Sequence, residues 1–218
     1  MYVQLNLYTP YIQYSIVLAH DREEKIRAIL QAAVSVLAEK GYNDATIPEI
    51  SEAANVSRGI LHYYFKDKED LVCRALTNST SRMVQSSLEG LKGSSAEEIA
   101  ENVVNIHRRN LSKYADFYGF LFEMWCISRR SKRIRKEFTN CQEKVLSAIK
   151  GWLDNASDQG IIKIDLSQSE TIAQLLMAIT DGTAFELIDH PEKLDDKKVS
   201  VLLRKMIVSV LNNEIIKW

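Results

Sequence analysis

The 218-residue chain contains little proline and glycine, three and eight residues respectively. Because these residues end helices and form turns, a chain so poor in them favours long helices with short connections over a sheet with many turns. Leu, Ile, Ala, Glu and Lys dominate instead, and this composition is typical of helical proteins. The sequence therefore predicts an all-α fold.

Cysteine is also scarce. Cys73, Cys126 and Cys141 are odd in number and have no C-x-x-C spacing, so neither a disulfide framework nor a zinc site is predicted. A reducing, cytoplasmic location fits this pattern. The apolar run YIQYSIVLAH near the N-terminus is far shorter than the roughly 20 residues that span a bilayer. We expect no membrane association, and we interpret residues 1–20 as an N-terminal extension of unassigned role.

Signatures of catalysis are missing as well. The chain has no HExxH motif, no Glu-x-x-His pair and no phosphate-binding GxxxxGK or GxGxxG loop. Its four histidines form no Cys/His cluster: His20, His62, His107 and His190. The sequence therefore predicts neither an enzyme nor a bound metal or cofactor.

Apolar residues at spacings of three and four predict a series of helices. The first runs from Arg22 to Lys40 and stops at Gly41. The ranges predicted after it are 47–54, 58–65, 68–88, 96–109, 110–128, 131–157, 167–189 and 195–213.

Capping residues support these limits. Thr46 with Glu49 forms the Thr-x-x-Glu capping pattern, and Ser57 is suited to cap the third helix. Asn55 tolerates the left-handed backbone that ends the second helix. The other predicted capping pairs are Ser94–Glu97, Ser95–Glu98 and Ser167–Glu170.

Two short helices joined by a three- or four-residue turn form a helix-turn-helix unit, which the first helix completes. The net charge of −1 does not indicate a nucleic-acid binder, so DNA binding must rest on where groups are placed. We predict an N-terminal helix-turn-helix DNA-binding domain over residues 21–68 and a helical domain over 69–218.

Four ring side chains follow one another at residues 62–65, although a helix packed on one face buries only one residue in three or four. With residues 61 and 65 on the core side, rotation of about 100° per residue directs Tyr63 and Gly59 outward and His62 and Arg58 to the flank. We call Arg58, Gly59, His62 and Tyr63 the exposed ridge.

Such a ridge suits a helix lying in the DNA major groove. Arg58 can pair with guanine, His62 can bond to base edges, and Tyr63 can reach a thymine methyl group or a phosphate, while Gly59 allows close approach. The predicted phosphate contacts are Thr46, Ser57, Tyr64 and Lys68.

Residues 29–72, ILQAAVSVLAEKGYNDATIPEISEAANVSRGILHYYFKDKEDLV, resemble the TetR family of bacterial and archaeal transcription regulators. They share its helix, Gly-aromatic pair, Thr cap, turn, Ser-x-Gly-x-Leu, aromatic pair, Phe and Lys-x-x-Leu. Two positions depart from the pattern. Asn55 replaces the usual Gly, and Pro48 stands where an Arg or Lys often touches a base, which leaves more of the readout to the exposed ridge.

The resemblance implies a second domain that binds a small molecule and dimerises, and a repressor released by its effector. A homodimer is also expected because a single helix-turn-helix reads too few base pairs, whereas two related by a twofold axis read a palindromic operator. The dimer interface is predicted on helices 131–157 and 167–189, with Phe138, Val145, Trp152, Ile179 and Gly182.

The segment DFYGFLFEMWCI holds more aromatic and Met side chains than one helix face can bury, and such side chains suit a cavity for a small, largely apolar effector. The predicted lining residues are Met83, His107, Phe117, Phe120, Phe122 and Trp125. A helical protein-interaction adaptor that uses Tyr63 and Tyr64 as a binding hot spot is the alternative, since exposed aromatic side chains also serve protein partners.

Overall fold

The computed structural model describes residues 9–190 and 196–214. In this part of the chain the regular structure is helical, which confirms the all-α prediction. The helices are α1 Thr9–Asp44, α2 Ile47–Ala53, α3 Arg58–Tyr64, α4 Lys68–Gly90, α5 Ala96–Lys113, α6 Ala115–Ser128, α7 Lys132–Asp158, α8 Ser169–Asp189 and α9 Asp196–Leu211, with a 3₁₀ turn over Leu166–Gln168.

The helix α1 starts earlier than predicted and continues for one turn beyond its predicted break. It begins at Thr9, so residues 9–20 prolong the helix instead of forming a separate extension, and residues 1–8 lie outside the described residues. Pro10 does not oppose this start, because a proline in the first turn loses no helical hydrogen bond. At the other end Gly41 has φ 76° and ψ 169°, which breaks the helix at the predicted residue before one further turn.

Most predicted caps are confirmed. The Thr46 side chain accepts from the Glu49 N–H, and the Glu49 side chain accepts from the Thr46 N–H, which completes the capping box of α2. Ser57 caps α3 and Ser95 caps α5, each by accepting from the N–H three residues later. The predicted Ser94–Glu97 pair is wrong, because Ser94 donates to the Glu98 carboxylate instead. Asn55 adopts the left-handed backbone with φ 52°.

The predicted Ser167–Glu170 cap of α8 is wrong. The Asp165 carboxylate accepts from the Ser167 N–H at 2.9 Å and starts the 3₁₀ turn, so α8 begins two residues later without a side-chain cap. Asp and Ser both form such local bonds, and the sequence alone does not say which of two neighbouring candidates does so.

The first core cluster joins α1–α4 to α6 and α7. It therefore crosses the boundary predicted at residue 68, and the N-terminal helices share their core with the rest of the chain. Its fully buried members include Ile29, Leu37, Ile50, Leu61, Phe65, Leu71, Leu76, Phe120, Met124 and Ile134.

The second core cluster lies further from the helix-turn-helix and joins α5, α7, α8 and α9. Its members include Ile99, Val104, Leu153, Ile172, Leu203 and Ile207. No helix in the described ranges is long and apolar enough to cross a bilayer.

Candidate functional site

All four residues of the exposed ridge lie on the solvent side of α3. Tyr63 is 77% exposed, and Arg58, Gly59 and His62 are exposed as well. Leu61 on the opposite side is buried in the first core cluster. A methyl group added at Gly59 would meet only the Ser57 hydroxyl, at 3.8 Å, so packing within the protein does not require a glycine here.

Both ends of α3 are fixed to the protein. At its start the Ile60 N–H donates to the Ser57 hydroxyl at 3.3 Å. At its end the Arg74 guanidinium donates to the Tyr64 carbonyl at 2.8 Å and lies 4.4 Å from the centre of the Phe65 ring. These contacts hold the exposed ridge on a rigid base.

The predicted phosphate contacts differ in their exposure. Ser57 and Thr46 are exposed, whereas Tyr64 is half-buried and packs edge-to-face with Tyr63 at 5.0 Å between ring centres. The Thr46 hydroxyl donates to the Glu49 carboxylate at 2.7 Å.

Glu49 also receives a hydrogen bond from the Lys40 ammonium group at 2.7 Å. This bond and those from Thr46 lower the pKa of the Glu49 carboxyl to about 2. The capping box of α2 therefore holds an ionised carboxylate.

Lys68 makes contacts within the protein that the sequence did not reveal. Its ammonium group donates to the carbonyls of Tyr42 and Ala45 and lies 4.5 Å from the centre of the Tyr42 ring. These carbonyls lie at the end of α1, where a cation is favoured. Burial lowers the pKa of Lys68. Two of its three donors are thus engaged within the protein.

Arg22 is a basic residue beside the ridge that the sequence analysis missed. Its side chain is exposed, and its guanidinium carbon lies 5.9 Å from the centre of the Tyr64 ring. A basic residue at the predicted start of the first helix was the available signal, but only the folded chain brings it next to α3.

A cavity lies between α4, α6, α7 and α8. Its larger lobe has a volume of about 410 Å³ and is lined mainly by apolar and aromatic side chains. Prominent among them are Met83, Phe117, Phe122, Trp125, Met177 and Phe185. Phe122 and Phe185 pack edge-to-face at 5.4 Å between ring centres, and Trp125 and Phe185 are about half exposed at the edge of the lobe.

A smaller lobe of about 160 Å³ shares Met83, Val145, Met177 and Asp181 with the larger one. Its other walls are mostly aliphatic, with Tyr118, Trp152 and His107 among them. The His107 Nε2 and the Thr183 hydroxyl are 2.8 Å apart. These shared residues place the two lobes side by side.

Asp181 is the carboxylate of this cavity, and the sequence analysis did not single it out. It lies on α8 one turn from both Met177 and Phe185, so the three side chains line the same face. Burial raises the pKa of Asp181 to about 6. Burial also raises the pKa of Tyr118, and the nearby charge of Asp181 adds to this rise. The available signal was a single acid among apolar residues at helical spacing.

The predicted effector residues divide into two groups. Met83, Phe117, Phe122 and Trp125 line the larger lobe, and Met83 and His107 line the smaller one. Phe120 is the one predicted effector residue that lines neither lobe: it is 0% exposed and belongs to the first core cluster. Its prediction is corrected, because its side of α6 packs within the core and lines neither lobe.

The predicted dimer residues on α7 face inward. Phe138 is 7% exposed and lines the larger lobe, and Val145 lines both lobes. The Trp152 indole donates to the Leu91 carbonyl at 3.3 Å. The assignment of Phe138 to an interface is corrected, because this side chain is covered within the subunit. The assignment of the partly exposed Val145 and Trp152 stays a prediction.

On α8, Ile179 packs against the second core cluster, whereas Gly182 is exposed. The larger exposed apolar side chains of this region lie on the same side of α8 as Gly182 and on α9. They are Leu175, Phe185, Val201, Leu202 and Met206.

Two polar contacts connect the cavity helices to the helix-turn-helix. The Tyr42 N–H donates to the Glu123 carboxylate of α6 at 2.6 Å. The Arg133 guanidinium of α7 bonds to Asp67 at 3.1 Å and to Asp70 at 2.9 Å, at the start of α4. Within residues 9–190 and 196–214, no group of three or more His, Cys, Asp or Glu side chains could hold a metal ion.

Residues 29–75 match the family model described as bacterial regulatory proteins, tetR family. The chain is also 35% identical over 190 residues to the HTH-type transcriptional regulator BetI of Escherichia coli strain K12, an alignment that covers 85% of this chain and 93% of that protein. The chain belongs to the TetR family of transcriptional regulators.

Solved structures agree on the TetR fold. The transcriptional regulator FadR from Bacillus subtilis, in complex with stearoyl-CoA, matches with a TM-score of 0.69 at 23% identity over 85% of this chain and 99% of that chain. A transcriptional regulator from Saccharomonospora viridis, in complex with choline, matches with a TM-score of 0.70 at 20% identity over 85% of this chain and 96% of that chain. The family therefore accounts for both the helix-turn-helix and the helical region that encloses the cavity.

Proposed function

We propose that this TetR-family regulator is a homodimeric, cytoplasmic repressor that binds a palindromic DNA operator and is released by a small, largely apolar effector. Residues 21–68 read the operator, and residues 69–218 bind the effector and form the dimer. The observation that carries the proposal is the exposed ridge on α3, with Tyr63 77% exposed above a fully packed base.

The exposed ridge has the chemistry of a major-groove reader. A guanidinium, an imidazole and a phenol share the outer side of α3 with a glycine that packing within the protein does not require. An exposed glycine in a short helix costs about 1 kcal/mol relative to alanine, and close approach to DNA gives that cost a reason. Arg22 joins Thr46, Ser57, Tyr64 and Lys68 as a proposed phosphate contact.

We place the dimer interface on α8 and α9. Leu202 is 61% exposed, and Val201 and Met206 beside it on α9 are also exposed. Leu175, Gly182 and Phe185 provide an exposed apolar and small-residue face on α8. Exposed apolar surface is typical of protein interfaces, and a closed twofold pairing buries the same face on both subunits.

The cavity offers a route from effector to DNA. The helix α4 starts at the helix-turn-helix, beside Asp67, and contributes Thr80 and Met83 to the larger lobe. The helix α6 contributes Phe117 and Phe122 to the same lobe and holds Tyr42 through Glu123. An effector that binds one arrangement of these helices more tightly shifts the dimer toward that arrangement, and so changes the distance between the exposed ridges of the two subunits. The free energy of this shift is no larger than the difference between the effector's binding free energies for the two arrangements.

Electrophoretic mobility shift with the DNA that flanks the protein's own gene tests the proposal. Wild type should bind a short palindromic site with a steep salt dependence, and Tyr63→Ala and Arg58→Ala should each weaken this binding by about tenfold or more. Lys163→Ala is the matched control, because it removes an exposed cation near the second core cluster.

Unchanged binding by both ridge variants would refute the assignment of the reading helix. Failure of the wild type to bind any site in this DNA would instead favour the adaptor interpretation of Tyr63 and Tyr64. Size-exclusion chromatography of the same variants should give the wild-type dimer, because the exposed ridge lies outside the proposed interface.

A further inference from the structure

The cavity combines an apolar lining with one acidic group. The residues that line the two lobes in the described part of the chain include no lysine and no arginine. Asp181 contributes to the walls of both lobes, so a ligand in either lobe lies beside it. A carboxylate removed from water without a compensating cation is costly. The one histidine of the lining, His107, is hydrogen-bonded to Thr183 at 2.8 Å, and no lysine or arginine is present among these lining residues to offset that cost.

We infer that the effector is a lipophilic organic monocation, whose charged centre lies against Asp181 and whose apolar substituents occupy the two lobes. This inference rests on the proposed ligand-responsive function and adds the chemical class of the ligand.

Aromatic faces support a cationic ligand independently of Asp181. Phe117, Phe122, Trp125 and Phe185 line the larger lobe, and aromatic rings attract cations through their negative faces. The thioethers of Met83 and Met177 add polarizable contacts for alkyl groups. A volume of about 410 Å³ in this lobe accommodates an ammonium group with an aromatic or branched alkyl substituent.

The same walls disfavour the other charge classes. An anionic head group beside Asp181 would meet its carboxylate, and the lining residues include no lysine or arginine to bind the anion. A neutral ligand would fill the lobes but would leave the carboxylate desolvated and uncompensated. A dication would bring a second charge that a single carboxylate cannot pair with. One positive charge therefore matches this cavity best.

Isothermal titration calorimetry with three probes of similar shape tests the inference. The probes are benzyltrimethylammonium, its neutral carbon isostere neopentylbenzene, and the anion 3-phenylpropanoate. Wild type should bind the cation with a Kd about tenfold or more below that of the isostere, and the anion more weakly than either. This comparison needs no variant, so it does not depend on how a substitution folds.

Asp181→Asn should raise the Kd of the cation by about tenfold or more while the Kd of neopentylbenzene changes by less than about threefold. Glu186→Gln is the matched control, because it removes a carboxylate from the exposed side of the same helix and should leave the Kd of every probe unchanged.

Two outcomes would overturn the inference: equal or weaker binding of the cation than of the isostere by wild type, and a Kd for the cation that Asp181→Asn does not change. No detectable binding of the cation at millimolar concentration would overturn it as well. Operator binding without any probe is measured separately. If the protein binds the operator but does not prefer the cation, only the inference about the effector is refuted. If it prefers the cation but binds no operator, the proposed function is refuted.

Discussion

Replacing Asp181 by Asn should stabilise the protein at neutral and alkaline pH and do so much less in acid. Burial raises the pKa of Asp181 to about 6 in the folded chain, whereas an aspartate in an unfolded chain has a pKa of about 3.9. Because the pKa of Asp181 is higher in the folded chain than in the unfolded chain, its protonated form favours folding. This contribution to stability is fully present below about pH 4 and is lost as the pH rises through about 6.

The magnitude follows from this difference in pKa. About two pKa units correspond to about 3 kcal/mol of lost stability once the carboxyl is fully ionised in both states. At pH 4.5 only about 1 kcal/mol of this has been lost. The advantage of Asp181→Asn over wild type in the free energy of unfolding should therefore grow by about 2 kcal/mol between pH 4.5 and pH 8.

Urea unfolding of both proteins at several pH values, followed by circular dichroism, measures this difference. Four other titratable groups line the two lobes: Tyr118, Cys126, Cys141 and His107. All four are present in both proteins, so their contributions to the pH dependence cancel to first order. For Glu186→Gln, the difference from wild type in the free energy of unfolding should change by less than about 0.5 kcal/mol between pH 4.5 and pH 8. The view that Asp181 is an uncompensated carboxylate would be refuted in two ways. The difference in the free energy of unfolding between Asp181→Asn and wild type could stay constant with pH, or Asp181→Asn could be less stable than wild type at pH 8.

Three further substitutions test other parts of the structure. Thr46→Ala removes the capping box of α2 and should lower the free energy of unfolding by about 1 kcal/mol, measured by urea denaturation; a variant as stable as wild type would contradict the role of the cap. Gly41→Ala places a side chain at φ 76° and 3.3 Å from the Glu123 carboxylate, so thermal unfolding should show a loss of about 1 kcal/mol or more, and an unchanged Tm would argue against that backbone conformation. Leu202→Glu puts a charge into the proposed interface and should shift the protein toward monomer in sedimentation velocity at micromolar concentration. Lys163→Glu, at an exposed position outside the named interface residues, should remain dimeric; a dimeric Leu202→Glu would move the interface away from α9.

The helix-turn-helix could be predicted from the sequence because its signals are local. A capping box at Thr46, a glycine at position 41 and a left-handed asparagine at position 55 each fix the backbone within a few residues, and the ridge follows from helical rotation alone. The start of α1 was placed too late because a low-proline segment without a clear apolar stripe gives no boundary signal.

The cavity and the interface were harder because they depend on which neighbour covers each apolar face. Phe120 and Phe122 are equally apolar in the sequence and lie two residues apart on α6, yet one is in the first core cluster and the other lines the larger lobe. Phe138 of α7 is covered within the subunit, whereas Leu202 and Met206 of α9 are exposed. Helical periodicity gives the direction of a stripe and does not identify the surface that packs on it.

The central claim is that the exposed ridge reads base edges in the major groove. Methylation interference at guanine N7 tests it most directly, because this atom lies in the major groove and is the expected partner of Arg58. For wild type, methylation at guanines related by a twofold axis should block binding. Arg58→Ala should bind weakly and lose this sensitivity at the guanines that Arg58 contacts. A guanine pattern unchanged in Arg58→Ala, or interference confined to adenine N3 in the minor groove, would contradict the account.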